Sequence, residues 1–344
     1  MRKKSRLSLF TVMVLILSLM LSGCAHEAMA PKGATITVTD QLGRTVTVPK
    51  DVTKITGTHH FAAHIAFALG QQDKLVDQAI YGNLGKAIGS VDPVYAAKPY
   101  LSEGMGLNME ELIALQPQVA FVYASSDASM IDQFESAGIK VVAVNGETFE
   151  EAFEAVRLIA KVLNCPDRGE EYLAYCQNIL ELVNQRVGNV PEDEKPRIMF
   201  AGPKSVYTVA SGDMLTTKLI ELAGAVSVSK DIKGYWTEVS PEQVATWNPE
   251  VIVLGSSLDT YGDQQVYKNP HFQTVKAVQE KKVYSMPSNI GWWDFPAPNC
   301  VLGVLWLSKT FYPEKFADID MLEKANEFYT KCYGHSFTEM GGKL

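Results

Sequence analysis

The sequence predicts an α/β protein with two parallel-sheet lobes and a helical connector between them. Two observations carry this prediction. First, the stretch Asn108 to Val122, NMEELIALQPQVAFV, returns as Ser240 to Leu254, SPEQVATWNPEVIVL, at a constant offset of 132 residues (240 − 108). Second, a helical pattern from Thr148 to Val187 separates the two copies, while strand-length apolar runs alternate with helical patterns on both sides.

Each copy of the repeat predicts a short helix, a proline stop and a buried strand. Asn108 and Ser240 are N-cap residues, and Glu110 and Glu242 fall in the first turn, where the helix dipole favours a carboxylate. Proline cannot continue the helix, and the apolar runs VAFVY and VIVLG that follow are typical of buried parallel strands. One such unit in each half therefore predicts two similar lobes.

The N-terminus reads as a secretory signal. A basic segment with Arg2 and Arg6 precedes the uncharged run from Leu7 to Leu21, which is short for a bilayer span. The following Leu-Ser-Gly-Cys24 resembles the lipobox of bacterial lipoproteins, the alternative being an ordinary cleavage site beside an incidental cysteine. We therefore predict a signal over 1–23, lipidation at Cys24, a tether over 24–34, and an extracytoplasmic protein anchored to the cell membrane by lipid.

Composition narrows the class of partner. Removing residues 1–23 takes away four basic and no acidic residues, which leaves 27 basic against 39 acidic side chains and a charge of −12. An acidic surface without a basic run argues against nucleic acid. Four cysteines remain without zinc-site spacing, so disulfides and buried free thiols both stay open; they are Cys165, Cys176, Cys300 and Cys332.

The N-terminal lobe is predicted over 35–147. ITVTD and RTVTVP alternate apolar and polar residues around a turn and predict a β-hairpin. The elements predicted after it are a strand at Lys54–Thr56, a helix at Phe61–Leu69, a short strand within Asp73–Ile80, the first repeat, a helix at Met130–Ala137 and a strand at Lys140–Val144.

The connector is predicted over 148–190 and the C-terminal lobe over 191–344. Thr148 and Glu151 form a capping box, and Pro166 either kinks or breaks the pattern, so that one helix or two remain open. The later elements are a strand at RIMFAG, a helix at Met214–Ala223, the second repeat, a helix at Val275–Glu280, the strand VYSMP and helices at Val301–Phe311 and Met321–Lys331.

Four segments together resemble one family. "TVTDQLGRTVTVPKDVTKI", the two repeat segments, "NPHFQTVKAVQEKKVYSMP" and "GVLWLSKTFYPEKF" occur in the order found in class III periplasmic binding proteins, which serve ABC importers of iron-siderophores, haem and cobalamin. The resemblance implies a monomer with two lobes joined by a long helix, a small-molecule ligand between them, and a permease dimer with its ATPase as partner. It also implies that Glu110 and Glu242 dock on arginines of the permease.

The loops expected at the carboxyl ends of the strands are rich in aromatic side chains and poor in arginine. Aromatic faces suit a metal chelate such as an iron-siderophore, haem or a corrinoid. The predicted ligand-binding residues are His59, His60, Tyr81, Met105, Tyr123, Ser125, Tyr207, Tyr235, Trp236, Tyr261, Trp292, Trp293 and Asp294.

Several alternatives stay open at this stage. His60 and His64 are spaced to face one metal, but they equally suit a helix cap and a packed side chain, and no third ligand is evident; no resident metal or cofactor is therefore predicted. Met105 and the aromatic residues could be packing residues, and Asp294 could cap a turn. An oxyanion such as molybdate or tungstate would require backbone amides and small polar groups. An extracellular sensor would share the cleft, whereas no GxSxG, Walker, GxGxxG or HExxH motif supports an enzyme.

Overall fold

Two separate parallel sheets organise the part of the chain that the structure describes. The computed structural model describes residues 33–103, 106–126, 128–256, 258 and 262–344. The predicted signal and tether up to residue 32, Cys24, Met105 and Tyr261 lie outside these residues. Thr35–Leu344 forms one unit, within which the two sheets mark an N-terminal and a C-terminal lobe.

The N-terminal lobe is built on a three-stranded parallel sheet with the order β3-β6-β7. All five residues of its central strand are buried, since neighbours cover both faces. An antiparallel hairpin, β1–β2, precedes it as predicted. The strands are β1 Thr35–Thr39, β2 Thr45–Pro49, β3 Ile55–Gly57, β4 Ser102–Glu103, β5 Gly106–Leu107, β6 Val119–Tyr123 and β7 Lys140–Val144. The helices are α1 His60–Ala68, α2 Gly82–Val91, α3 Pro93–Ala96, α4 Met109–Ala114 and α5 Ala128–Ser136.

The strand predicted within Asp73–Ile80 is wrong. The segment begins with a 3-10 turn at Gln72–Lys74 and makes a single bridge, from Leu75 to Ile55. The Lys98 ammonium donates to the carbonyls of residues 72, 73 and 75 at 3.0, 3.2 and 2.6 Å. These three carbonyl groups therefore accept hydrogen bonds from a side chain and not from the backbone of a neighbouring strand.

The C-terminal lobe contains a six-stranded sheet with the order β11-β9-β8-β12-β13, in which β10 also pairs with β8. Strands β8, β10, β12 and β13 run parallel, while β9 pairs antiparallel with both β8 and β11. The strands are β8 Arg197–Ala201, β9 Thr208–Val209, β10 Val226–Ser227, β11 Thr237–Glu238, β12 Val251–Leu254 and β13 Val283–Ser285. The helices from the connector onward are α6 Phe149–Val162, α7 Pro166–Val187, α8 Leu215–Leu222, α9 Pro241–Trp247, α10 Gly262–Lys268, α11 Lys276–Gln279, α12 Cys300–Phe311 and α13 Met321–Tyr333.

The connector forms two helices, α6 and α7, rather than one. The capping box is present, since Thr148 Oγ1 accepts from the Glu151 amide at 3.1 Å and the Glu151 carboxylate accepts from the Thr148 amide at 3.0 Å. The break comes at Asn164, whose φ of +57° lies in the left-handed region, just before Pro166 opens α7. The 22-residue α7 then packs on α6 and on α12 and α8 of the C-terminal lobe.

The two copies of the repeat match each other in backbone detail. Asn108 accepts from the amide at residue 111 at 3.2 Å, and Ser240 accepts from the amide at residue 243 at 3.2 Å. Each helix ends at a left-handed residue ahead of its proline, Gln116 with φ +54° and Asn248 with φ +45°. The repeat is therefore a structural unit that includes its stop signal.

The last helix, predicted in the C-terminal lobe, packs against α12 there and also reaches the N-terminal lobe. α13 packs against α1, where the Tyr333 ring lies 5.6 Å from that of Phe67. None of the described helices is both long enough and apolar enough to cross a bilayer.

Candidate functional site

A cavity of about 250 Å³ lies between residues of the N-terminal lobe and the loop that follows β13. The N-terminal lobe contributes two residues of α1 and the segment that opens α2, and the C-terminal lobe contributes four residues of the loop. The lining residues are His60, His64, Ile80, Tyr81, Gly82, Asn83, Leu84, Gly291, Trp292, Phe295 and Ala297.

Aromatic rings from both lobes meet at this cavity. The His60 ring lies 4.2 Å from that of His59, 4.7 Å from that of Phe295 and 5.0 Å from that of Tyr81. The Trp292 ring, 45% exposed, lies 5.8 Å from that of Phe295. The structure thus brings together His59, His60, Tyr81 and Trp292, four of the predicted residues, and joins them to Phe295.

His59 caps the helix that carries the other histidines. β3 ends at Gly57, and the chain enters α1 with His59 at the N-cap, where Nδ1 accepts from the Phe61 amide at 3.3 Å. A neutral imidazole that accepts at Nδ1 carries its proton on Nε2. Burial lowers the pKa of His59 to about 4, so the ring is neutral at pH 7.

His64 and His60 are neutral for the same reason. His64 is buried, its Nδ1 lies 2.6 Å from Tyr333 Oη, and desolvation lowers its pKa to about 3. Burial also holds the pKa of His60 well below its ordinary value, and charge on His59 or His64 would lower it further. The cavity therefore contains imidazole groups that are uncharged near pH 7.

The N-terminus of α2 is the second polar element of the cavity. Tyr81 is its N-cap residue, and no side chain caps the helix. Gly82, Asn83 and Leu84, the first three helical residues, line the cavity, and their amides have no acceptor within the helix. The positive end of the helix dipole thus adjoins a cavity in which no lysine or arginine lines the described wall.

Two further predicted residues of the N-terminal lobe lie off the cavity lining. The Tyr123 ring lies 4.5 Å from that of His59, while its hydroxyl donates to Glu147 Oε1 at 2.8 Å and accepts from the Gly146 amide at 3.3 Å. Tyr123 therefore contacts the His59 ring but does not line the cavity. Ser125 is exposed and does not line the cavity.

Three predicted residues of the C-terminal lobe also lie away from the lining. The Tyr207 hydroxyl accepts from Asn269 Nδ2 at 2.8 Å, and its ring lies 5.3 Å from that of Phe272, as a packing residue would. Tyr235 is 65% exposed, and Trp236 packs near Phe200 at 6.3 Å.

The prediction that both tryptophans line the cleft needs correction for Trp293. Its indole is 0% exposed, lies 6.0 Å from the Phe337 ring, and donates through Nε1 to Tyr329 Oη at 3.5 Å. A core position that also satisfies the indole N–H explains how so bulky a side chain fits in the loop. Asp294 accepts from the Ser256 amide at 2.8 Å, and burial raises the pKa of this carboxyl.

Sequence reasoning did not assign four features of the site, which are the start of α2, Phe295, His64 and Tyr333. No helix was predicted between residues 80 and 108, but α2 begins at Gly82, whose φ of +71° favours glycine. Phe295 had a signal, since it belongs to the same aromatic loop as Trp292. His64 had one in its spacing from His60, whereas nothing local indicated Tyr333. Within the described ranges, no group of three or more His, Cys, Asp or Glu side chains is arranged to hold a metal ion.

Comparison with known proteins identifies the family and the fold. Residues 57–290 match the family model described as periplasmic binding protein. The molybdate-binding protein MolA of Haemophilus influenzae is 30% identical, with 94% of this chain and 97% of that protein covered. Its molybdate-bound structure superposes with a TM-score of 0.76 at 27% identity, covering 88% of this chain and 98% of that one.

Two other relatives are less similar to this chain in sequence. The uncharacterised ABC transporter substrate-binding lipoprotein YvrC of Bacillus subtilis is 23% identical over 89% of this chain and 97% of its own length. A vitamin B12-binding protein of Pectobacterium atrosepticum is 21% identical over 61% of this chain and 74% of its own. The chain therefore belongs to the periplasmic binding protein family, class III, and is a solute-binding protein of an ABC importer.

Proposed function

We propose that this chain captures a compact oxyanion of the molybdate class and delivers it to its importer. The observation that carries the proposal is the uncapped N-terminus of α2, which presents Gly82, Asn83 and Leu84 to a small cavity. Backbone amides at a helix N-terminus, aided by the helix dipole, are a common means of holding an oxyanion without a cationic side chain.

The size of the cavity agrees with a compact cargo. Its volume of about 250 Å³ is below the range of roughly 300–1,000 Å³ usual for drug-sized ligands. Haem and corrinoids are larger than such ligands and would require the lobes to separate further. A tetrahedral oxyanion needs only a few converging donors, which His60 and His64 supplement on the neighbouring helix.

The family relationship points the same way. MolA is described as molybdate-binding, and its likeness to this chain extends over 94% of the sequence. A shared cargo would explain why a cavity lined with aromatic groups keeps an exposed amide end instead of covering it with a side-chain cap.

A metal chelate is the second candidate, and the aromatic wall favours it. Phe295, Trp292 and Tyr81 offer faces to an organic ligand, and the neutral His60 ring could occupy an open coordination position of a chelated metal. Iron-siderophores, haem and corrinoids belong to this candidate class.

The pH dependence of binding separates the two candidates. A dianion favours protonated imidazole, so the pKa of a histidine beside it rises on binding, and molybdate affinity should increase as the pH falls from 7 towards that raised pKa. Imidazole bound to a metal cannot take a proton, and burial already keeps the free cavity histidines neutral at pH 7, so chelate affinity should change little between pH 7.5 and 5.5. Isothermal titration calorimetry in buffers of different ionisation enthalpy measures both affinity and proton uptake. Failure of sodium molybdate to bind at any pH would rule out the oxyanion proposal.

Membrane attachment and docking complete the proposed role. Lipid on Cys24 would hold the protein at the membrane beside its permease, and the likeness to the lipoprotein YvrC supports this. Glu110 and Glu242 are both exposed and occupy equivalent first-turn positions of α4 and α9. We propose that each lobe contacts a permease subunit through one of them; an extracellular sensor would not need the pair.

A further inference from the structure

No residue of helix α13 lines the cavity. Two of its tyrosines nevertheless form hydrogen bonds, one with a lining histidine and one with the loop that carries Trp292. Tyr333 Oη lies 2.6 Å from His64 Nδ1, on the N-terminal side. Tyr329 Oη donates to the Ile290 carbonyl at 2.8 Å, in the loop that carries Trp292 on the C-terminal side. Both tyrosines are buried, and their rings lie 5.3 Å apart, one helical turn from each other.

The direction of the hydrogen bond between Tyr333 and His64 follows from their surroundings. Burial holds the pKa of Tyr333 well above its ordinary value, so the phenol keeps its proton. Among the described residues, His64 Nδ1 is the hydrogen-bond partner of this hydroxyl, and a buried O–H without an acceptor is costly. The hydroxyl therefore donates to Nδ1. A neutral imidazole has one N–H group, which must then lie on Nε2.

We propose that Tyr333 is a positioning residue that fixes His64 in the Nε2–H tautomer and makes it a hydrogen-bond donor to the cargo. His64 lines the cavity, and Nε2 is the ring nitrogen that Tyr333 leaves free. A donor suits an oxyanion, whereas a protonated Nε2 cannot ligate a metal. The cargo part of this inference rests on the proposed function, but the tautomer belongs to the cargo-free protein.

Nitrogen NMR of the cargo-free protein labelled with 15N-histidine tests the tautomer directly. The His64→Asn variant identifies the His64 ring signals by their loss. We expect the wild-type ring to be protonated at Nε2 alone, and the Tyr333→Phe variant to show a mixture of both tautomers. The same variant should bind sodium molybdate roughly 3- to 10-fold more weakly, the range for a lost hydrogen bond of typical strength.

Two matched variants separate positioning from general destabilisation. Tyr329→Phe removes the neighbouring hydroxyl on the same face of α13 and should leave the His64 tautomer unchanged. Tyr312→Phe removes a hydroxyl that donates to the Gly224 carbonyl at 2.7 Å, away from the cavity, and should change neither the tautomer nor the affinity.

The outcomes distinguish this inference from the proposed function. A wild-type His64 protonated at Nδ1, or an unchanged tautomer in Tyr333→Phe, overturns the assignment. A shifted tautomer with unchanged molybdate affinity overturns the positioning role. If the wild-type protein binds no molybdate while the tautomer changes as expected, the proposed cargo fails and the tautomer assignment stands.

Discussion

The helix–proline–strand units of the two lobes share the positions of their cap, stop and strand, whereas the cavity walls that the lobes present differ in kind. Both units have a capped first turn, an exposed glutamate, a left-handed stop and a buried strand. The N-terminal wall carries His60, His64 and the amide end of α2, while the C-terminal wall carries Gly291, Trp292, Phe295 and Ala297.

We infer that this difference corresponds to two separate functions, contact with a partner and recognition of a cargo. A partner that contacts both lobes requires equivalent surfaces, and the repeat supplies them at Glu110 and Glu242. A cargo requires donors on at least one side and exclusion of water on the other, which the unequal walls can provide. We infer that the N-terminal wall recognises the cargo and that the C-terminal wall covers it.

The largest expected effect is on uptake, by charge reversal at the equivalent positions. Glu110→Arg combined with Glu242→Arg should reduce importer-dependent uptake by roughly 100-fold or more, since arginines would meet arginines at the interface. Cargo affinity of the purified protein should stay unchanged, because both glutamates are exposed and outside the cavity. Either single reversal should cost less than the double. Wild-type uptake by the double variant would refute the docking assignment.

Because the two cavity walls differ, substitutions in them should weaken molybdate binding by different amounts. His60→Ala should weaken molybdate binding roughly 10- to 100-fold, because hydrogen bonds to charged groups contribute about 1.5–3 kcal/mol. Trp292→Ala should weaken it roughly 3- to 10-fold, because the side chain is 45% exposed and gives up only part of its apolar burial. Calorimetry with His271→Ala, an exposed histidine away from the cavity, as the control measures both. A larger loss for Trp292→Ala would reverse the roles of the walls.

The smallest effects are expected on the free energy of unfolding, from substitutions at the two left-handed residues that end the repeat helices. The two substitutions should change it in opposite directions. Gln116→Gly should raise the free energy of unfolding by about 0.5–1 kcal/mol, since glycine adopts positive φ without a steric cost. Asn248→Gly should lower it by a similar amount, because asparagine tolerates this conformation and its Oδ1 accepts from the Lys276 amide at 2.8 Å. Urea denaturation measures both changes. Shifts of the same sign would show that the copies are energetically equivalent after all.

Local signals account for the parts of the fold that the sequence predicts well. Caps such as Asn108 and Ser240 act within one turn, and strands such as β6 are recognisable from their apolar runs alone. Prediction failed where a distant side chain decides the outcome. Lys98 takes the carbonyl groups of the segment expected to be a strand, and α13 receives the Trp293 indole N–H. Pro166 was correctly recognised as a possible break, yet the left-handed Asn164 before it was not.

The candidate site shows the same limit. Its aromatic residues His60, Tyr81 and Trp292 follow predicted strands and could be proposed from the order of elements. The amide end of α2 has no side-chain signature, because its donors are backbone groups that every residue but proline possesses.

The packing of α13 on α1 has a consequence for synthesis. His64 and Tyr333 are 269 residues apart in sequence, so their contact cannot form until the last helix has left the ribosome. The N-terminal lobe is translated early, but the hydrogen bond between His64 and Tyr333 forms only after the last helix has been made. Such contacts slow folding, because a long loop must close before they form. A chain that ends before α13 therefore lacks the hydrogen-bond partner of His64.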